Sequence, residues 1–84
     1  MKDNVVKIKL DLKDVKNFAR TASTISKNVT LGQHRMLIDG KSYGQIFFLN
    51  LSKPVDLIFD TKEDCDLYKS KFTEWIIKGD KTVE

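Results

Sequence analysis

The order of two hydrophobic periodicities predicts an α+β domain, with a four-stranded antiparallel sheet covered on one face by three helices. Three observations carry this reading. Val6, Ile8 and Leu10 alternate with Lys7, Lys9 and Asp11, the period-two pattern of a strand with one buried face. Val15, Phe18, Ala19, Ala22 and Ile25 then recur at three- and four-residue spacing, as a helix with one apolar stripe requires. The order that follows, strand–helix–strand–strand–helix–strand–helix, suits helices packed together on one side of a sheet.

The first strand ends near Asp11, and the periodicity predicts a helix over residues 12–27. Asp11 and Asp14 suit its start, because carboxylates there accept from free amides and complement the positive end of the helix dipole. Val29-Thr30-Leu31 and Met36-Leu37-Ile38 read as two short strands joined through Gly32 to Arg35. Asp39-Gly40 supplies turn chemistry. Ser42 with Gln45 three residues later is a capping-box pattern, which places a short helix at about 43–50. Pro54 can open a strand but not continue a helix, and Val55, Leu57 and Phe59 alternate after it.

Thr61 with Asp64 marks the start of a closing helix. Cys65, Tyr68, Phe72, Trp75 and Ile76 form its buried stripe, so Trp75 and Phe72 read as core rather than ligand contacts. Gly79 fits a helix-terminating glycine, and residues 79–84 read as a frayed tail on a single domain of residues 1–84.

Composition narrows the function classes. The chain has 84 residues, 40% hydrophobic and 32% charged, which suits one globular domain of modest stability. No apolar run approaches the roughly 18–20 residues of a membrane span. With no signal-peptide pattern at the N-terminus, a cytoplasmic protein without membrane insertion is expected. The single cysteine, Cys65, excludes an internal disulfide and a cysteine-built zinc site, and its place on an apolar stripe suits a buried thiol. Neither metal nor cofactor is expected. Asn28-Val29-Thr30 and Asn50-Leu51-Ser52 match the glycosylation pattern by chance. Net charge is +3, with lysines gathered in the first third and carboxylates in the second half. That balance leaves open a small basic nucleic-acid-binding protein, but no stacking aromatic platform or helix-turn-helix pattern supports one.

The stretch Lys41-Ser42-Tyr43-Gly44-Gln45-Ile46-Phe47-Phe48-Leu49 resembles the Lys-Ser-Ile-Met-Gly-Val-Met-Ser-Leu type of segment in HPr-type phosphocarrier proteins of the bacterial sugar phosphotransferase system. The element order, the chain length and the Phe18-to-Ser42 spacing are similar too. The resemblance implies an HPr-like open-faced β-sandwich. That family carries a phosphoacceptor histidine, then an arginine and a proline, at the start of its first helix. Here the equivalent stretch, Leu10-Asp11-Leu12-Lys13-Asp14-Val15, holds none of the three. A phosphohistidine relay needs a neutral imidazole nucleophile with cationic donors beside it. Asp11 reads as a helix cap rather than an acyl-phosphate carrier. His34, the only histidine, reads as a turn residue rather than a displaced acceptor.

The resemblance also implies a regulatory role for Ser42, since the matching serine is phosphorylated by a dedicated kinase in some members. Capping the short helix accounts for the same residue without phosphorylation. The positions resembling Tyr43 and Phe47 belong, in the family, to an apolar patch that docks partner proteins. Phe48 joins them, because two adjacent phenylalanines cannot both face one core from a single helix. The expectation is a non-enzymatic regulatory or protein-interaction module acting through Ser42, Tyr43, Phe47 and Phe48. A divergent working phosphocarrier is the alternative.

Overall fold

The computed structural model describes residues 3–77. Strand β1 (Val5–Ile8) leads into a 3-10 turn (Leu12–Asp14) and helix α1 (Val15–Ser23). Strands β2 (Val29–Gln33) and β3 (Met36–Asp39) form a hairpin, followed by the one-turn helix α2 (Tyr43–Ile46). Strand β4 (Val55–Phe59) and helix α3 (Lys62–Tyr68) follow, and a second 3-10 turn spans Lys69–Phe72. The sheet is antiparallel throughout, in the order β1-β4-β2-β3. Val29, Leu31, Val55, Leu57 and Phe59 bury into one cluster with Val15, Phe18, Ala22, Ile46 and Cys65 from the helices. Lys7, Asp56, Ile58 and Leu37 alternate with them on the opposite face, which no described helix covers. Across that face the Lys7 ammonium meets Asp56 at 2.6 Å.

Three boundaries differ from the periodicity. The helix predicted over 12–27 opens as a 3-10 turn and ends at Ser23. Ser23 Oγ and Thr24 Oγ1 donate back to the Ala19 and Thr21 carbonyls, at 2.8 and 2.7 Å, and so compete with the helical ladder. Ile25 is buried beyond the helix end, so the apolar spacing outlasts the helix. The hairpin turn is tighter than predicted, just His34-Arg35 between the paired Gln33 and Met36. His34 takes φ 57°, a left-handed conformation uncommon outside glycine.

The closing stripe is not one helix. Helix α3 stops at Tyr68, Phe72 sits on the 3-10 turn and Trp75 in the turn after it. Ile76 instead bridges to Ile8 of β1. The Trp75 carbonyl accepts from the Lys9 amide at 2.9 Å, and the Ile77 amide donates to the Lys7 carbonyl at 3.0 Å. Apolar spacing could not separate a continuous helix from a helix that unwinds and pairs with the sheet. Gly79 and the polar tail lie outside the described residues.

Phe72 is fully buried, with its ring 5.0 Å from Phe18 and 6.2 Å from both Phe59 and Trp75. Phe72→Ala would remove a ring touching elements from both ends of the chain. Urea unfolding is expected to show a loss of about 3–5 kcal/mol. An unchanged midpoint would remove Phe72 from the core.

Candidate functional site

The loop from Asp39 to Ser42 is held on three sides. Asp39 Oδ1 accepts from the Lys41 amide at 2.9 Å, closing a local turn. The Gly40 amide donates to the Val29 carbonyl at 2.8 Å. A Cβ on Gly40 would stand 3.0 Å from both that oxygen and Val29 Cγ1, so the close approach of two backbones selects glycine. Lys41 turns its ammonium to the Ile25 carbonyl, 2.6 Å away, and ties the loop to the chain just past α1.

Ser42 is the N-cap of α2, with extended backbone and Oγ 3.4 Å from the Gln45 amide that donates to it. That bond is long, so the cap is a weak one. The other half of the expected capping box is replaced. The Ser42 amide donates to the Asp39 carbonyl at 3.0 Å, while Gln45 Oε1 accepts from the Asp39 amide at 3.1 Å. Gln45 thus satisfies an outward-facing group at the sheet edge instead of the helix start.

Helix α2 ends at Ile46, short of the predicted residue 50. Ile46 and Leu49 turn into the core, leaving Tyr43, Phe47 and Phe48 at 51%, 44% and 70% exposure. The Tyr43 and Phe47 rings lie edge to face at 5.2 Å and 80°, so the two side chains hold each other in place. Gly44 lies between them, and a Cβ there would meet open space.

Beyond the aromatics the chain is fastened again. Gln33 Nε2 donates to the Asn50 carbonyl at 2.8 Å, and the Asn50 amide donates to Gln33 Oε1 at 2.7 Å. Asn50 Oδ1 accepts from the Ser52 amide and hydroxyl, so this glycosylation-like triplet serves the turn. Lys9 reaches the Leu51 carbonyl at 2.9 Å from the far edge of the sheet. Gln33 and Gln45 were not singled out by sequence reasoning for these roles. Their partners are backbone groups in other elements, and a lone glutamine carries no pattern that names them.

The other candidates lie apart from this surface. The Asp11 amide donates to Asp14 Oδ2 at 3.0 Å, as expected of a helix start. Asp11 and His34 sit toward the sheet end where β1 finishes and the hairpin turns, whereas Ser42 follows the opposite end of β3. Cys65 is buried on α3, and burial pushes its thiol up, away from the reactive thiolate. Among the described residues no group of three or more histidine, cysteine, aspartate or glutamate side chains could hold a metal. None of the described helices is long and apolar enough to cross a membrane. No family model, curated protein or solved structure matches the chain.

Three substitutions test this geometry in thermal or urea unfolding. Ser42→Ala is expected to cost about 0.5 kcal/mol, the low end for a cap, because the bond is long. Ser42→Asp keeps an acceptor and should hold stability. Gly44→Ala adds a methyl in open space on a helix and should raise stability by about 0.5–1 kcal/mol. Unfolding by Ser42→Asp would show that the cap geometry is wrong.

Proposed function

We propose that this chain is an HPr-like module without phosphohistidine relay chemistry, and that it binds a protein partner through the surface from Ser42 to Phe48. One observation carries the reading: Tyr43, Phe47 and Phe48 stand exposed on a segment hydrogen-bonded into the fold on both sides. Rigid aromatic side chains bring large contact area at small conformational cost, which is why they anchor protein interfaces. A polar surface role would leave such side chains unexplained, whereas a docking contact would bury them.

Ser42 adds a means of control. Phosphorylation there would set about two negative charges beside Tyr43 and Phe47 and weaken an apolar contact. With α2 only one turn long, the helix dipole would offset little of that charge. The lack of a relay rests on the residues at the start of α1. Asp11 is engaged as a helix start, and no histidine, arginine or proline lies between Leu10 and Val15.

A photo-crosslinking residue in place of Phe48, in extracts of the native host, is expected to give one discrete protein adduct. Phe47→Ser should abolish that adduct and Ser42→Asp should reduce it. The same probe at exposed Leu67 on α3 should not give it. An adduct insensitive to Phe47→Ser would count against the surface. Incubation with enzyme I and labelled phosphoenolpyruvate should leave the chain unlabelled. Acid-labile, base-stable label that vanishes in His34→Gln would instead establish a phosphocarrier.

A further inference from the structure

Strand β3 forms one edge of the sheet. The two-residue turn makes Gln33–Met36 and Leu31–Ile38 the hydrogen-bonded pairs of the hairpin, so Leu37 and Asp39 direct their backbone groups outward. Those of Asp39 are taken, its amide by Gln45 Oε1 and its carbonyl by the Ser42 amide. Those of Leu37 face out at the edge. The Leu37 side chain is 68% exposed on the open face and leans over Gly32, where a Cβ would come within 2.9 Å of its Cδ2. Met36 beside it is exposed as well.

The charges flanking Leu37 are arranged symmetrically. Arg35 lies two residues before it and Asp39 two residues after, and neither forms an ion pair among the described residues. A shallow groove beside β3 is lined by Asn28, Thr30, Leu37, Asp39, Lys41 and Asp60. Of its two carboxylates, Asp39 accepts from the Lys41 amide and Asp60 from Asn28 Nδ2 at 3.0 Å, while the Lys41 ammonium, the one cation in the lining, is turned away to the Ile25 carbonyl.

We infer that a second copy of this chain pairs antiparallel with β3 across a two-fold axis at Leu37, with each Arg35 entering the Asp39–Asp60 groove of the other copy. In this register the two Leu37 residues exchange both backbone hydrogen bonds, and each Met36 stands opposite the other copy's Ile38. Arg35 lies in the hairpin turn and then meets Asp39 through its side chain alone on both sides of the axis, since the Asp39 backbone groups are held by Gln45 and Ser42. The contact is thus self-complementary, as an isologous dimer requires. Centring the axis on Asp39 instead would meet the amide and carbonyl already held by Gln45 and Ser42. The free edge therefore selects the register. An unrelated strand would have no use for opposite charges mirrored about one leucine. The pairing is one hydrogen-bonded pair wide, so the dimer is a weak one. It does not include the exposed aromatics of α2, although Gln45 of that helix lines the same groove.

Sedimentation equilibrium tests the pairing in the intact chain. The weight-average mass should rise from one chain towards two, with a dissociation constant on the order of 0.1–1 mM for so small an interface. High salt should weaken the association, because both ion pairs lie at the surface. Arg35→Asp alone and Asp39→Arg alone should each stay at one chain, since each places like charges across the axis. An equimolar mixture of the two variants should associate, because the mixed pair regains both attractions. Asp39→Arg also loses the Lys41 turn contact, so Leu37→Pro supplies a second probe. It removes the outward amide without touching a ladder bond to β2, and should abolish association in a folded chain. A mass fixed at one chain up to ~1 mM would overturn the inference. So would a dimer indifferent to Leu37→Pro, or folded charge variants that fail to associate when mixed.

Discussion

The packing of Phe72 against Phe18, Phe59 and Trp75 is the contact on which the rest of the structure depends. These four rings come from α1, the central strand β4 and the segment after α3. A domain this small has little apolar surface to bury, so a few large side chains bear much of its stability. Their packing also sets where the chain must go. A continuous helix through Trp75 would keep its backbone hydrogen bonds within itself, so the Trp75 carbonyl and the Ile77 amide could not pair with β1. Unwinding after Tyr68 satisfies the cluster and returns Ile76 and Ile77 to the sheet edge. The arrangement has a cost, since Trp75 Nε1 is buried without a hydrogen-bond partner among the described residues.

An open sheet has two edges, and this chain treats them differently. The β1 edge is partly closed by the backbone of Trp75 and Ile77. The β3 edge is closed at Asp39 by a side chain and an amide from the start of α2, and no described residue pairs with it at Leu37. Edges left open are where other strands pair. Gln45 therefore does two things at once: it anchors α2 to the sheet and limits how much of β3 can accept a partner.

The aromatic surface and the free edge flank the same short loop. Asp39 belongs to both, through Gln45 and Ser42 on one side and the mirrored charge pair on the other. A modification at Ser42 would act first on Tyr43 and Phe47, the side chains next to it in the helix. The chain's mobility there is restricted by Lys41, Gly40 and the Gln33–Asn50 amide pair, so the aromatics present a preformed shape rather than one ordered on contact.

The sequence alone determined the element order, the inward faces of β1 and β4 and the exposure of some aromatic surface after Ser42. These are local matters: alternation, three-to-four spacing, and the impossibility of burying Phe47 and Phe48 together. It also located the N-caps at Ser42 and Thr61, because a hydroxyl three residues before an amide is a short-range pattern. Tertiary structure alone decided the strand order, the end of α1 at Ser23, the unwinding after Tyr68 and the partners of Gln33 and Gln45. Each of these depends on groups distant in sequence competing for the same backbone donor or the same core volume. Gln45 shows the difference most plainly. Its spacing from Ser42 announced a helix start, but an unpaired amide at the sheet edge took the side chain that the local pattern had assigned elsewhere.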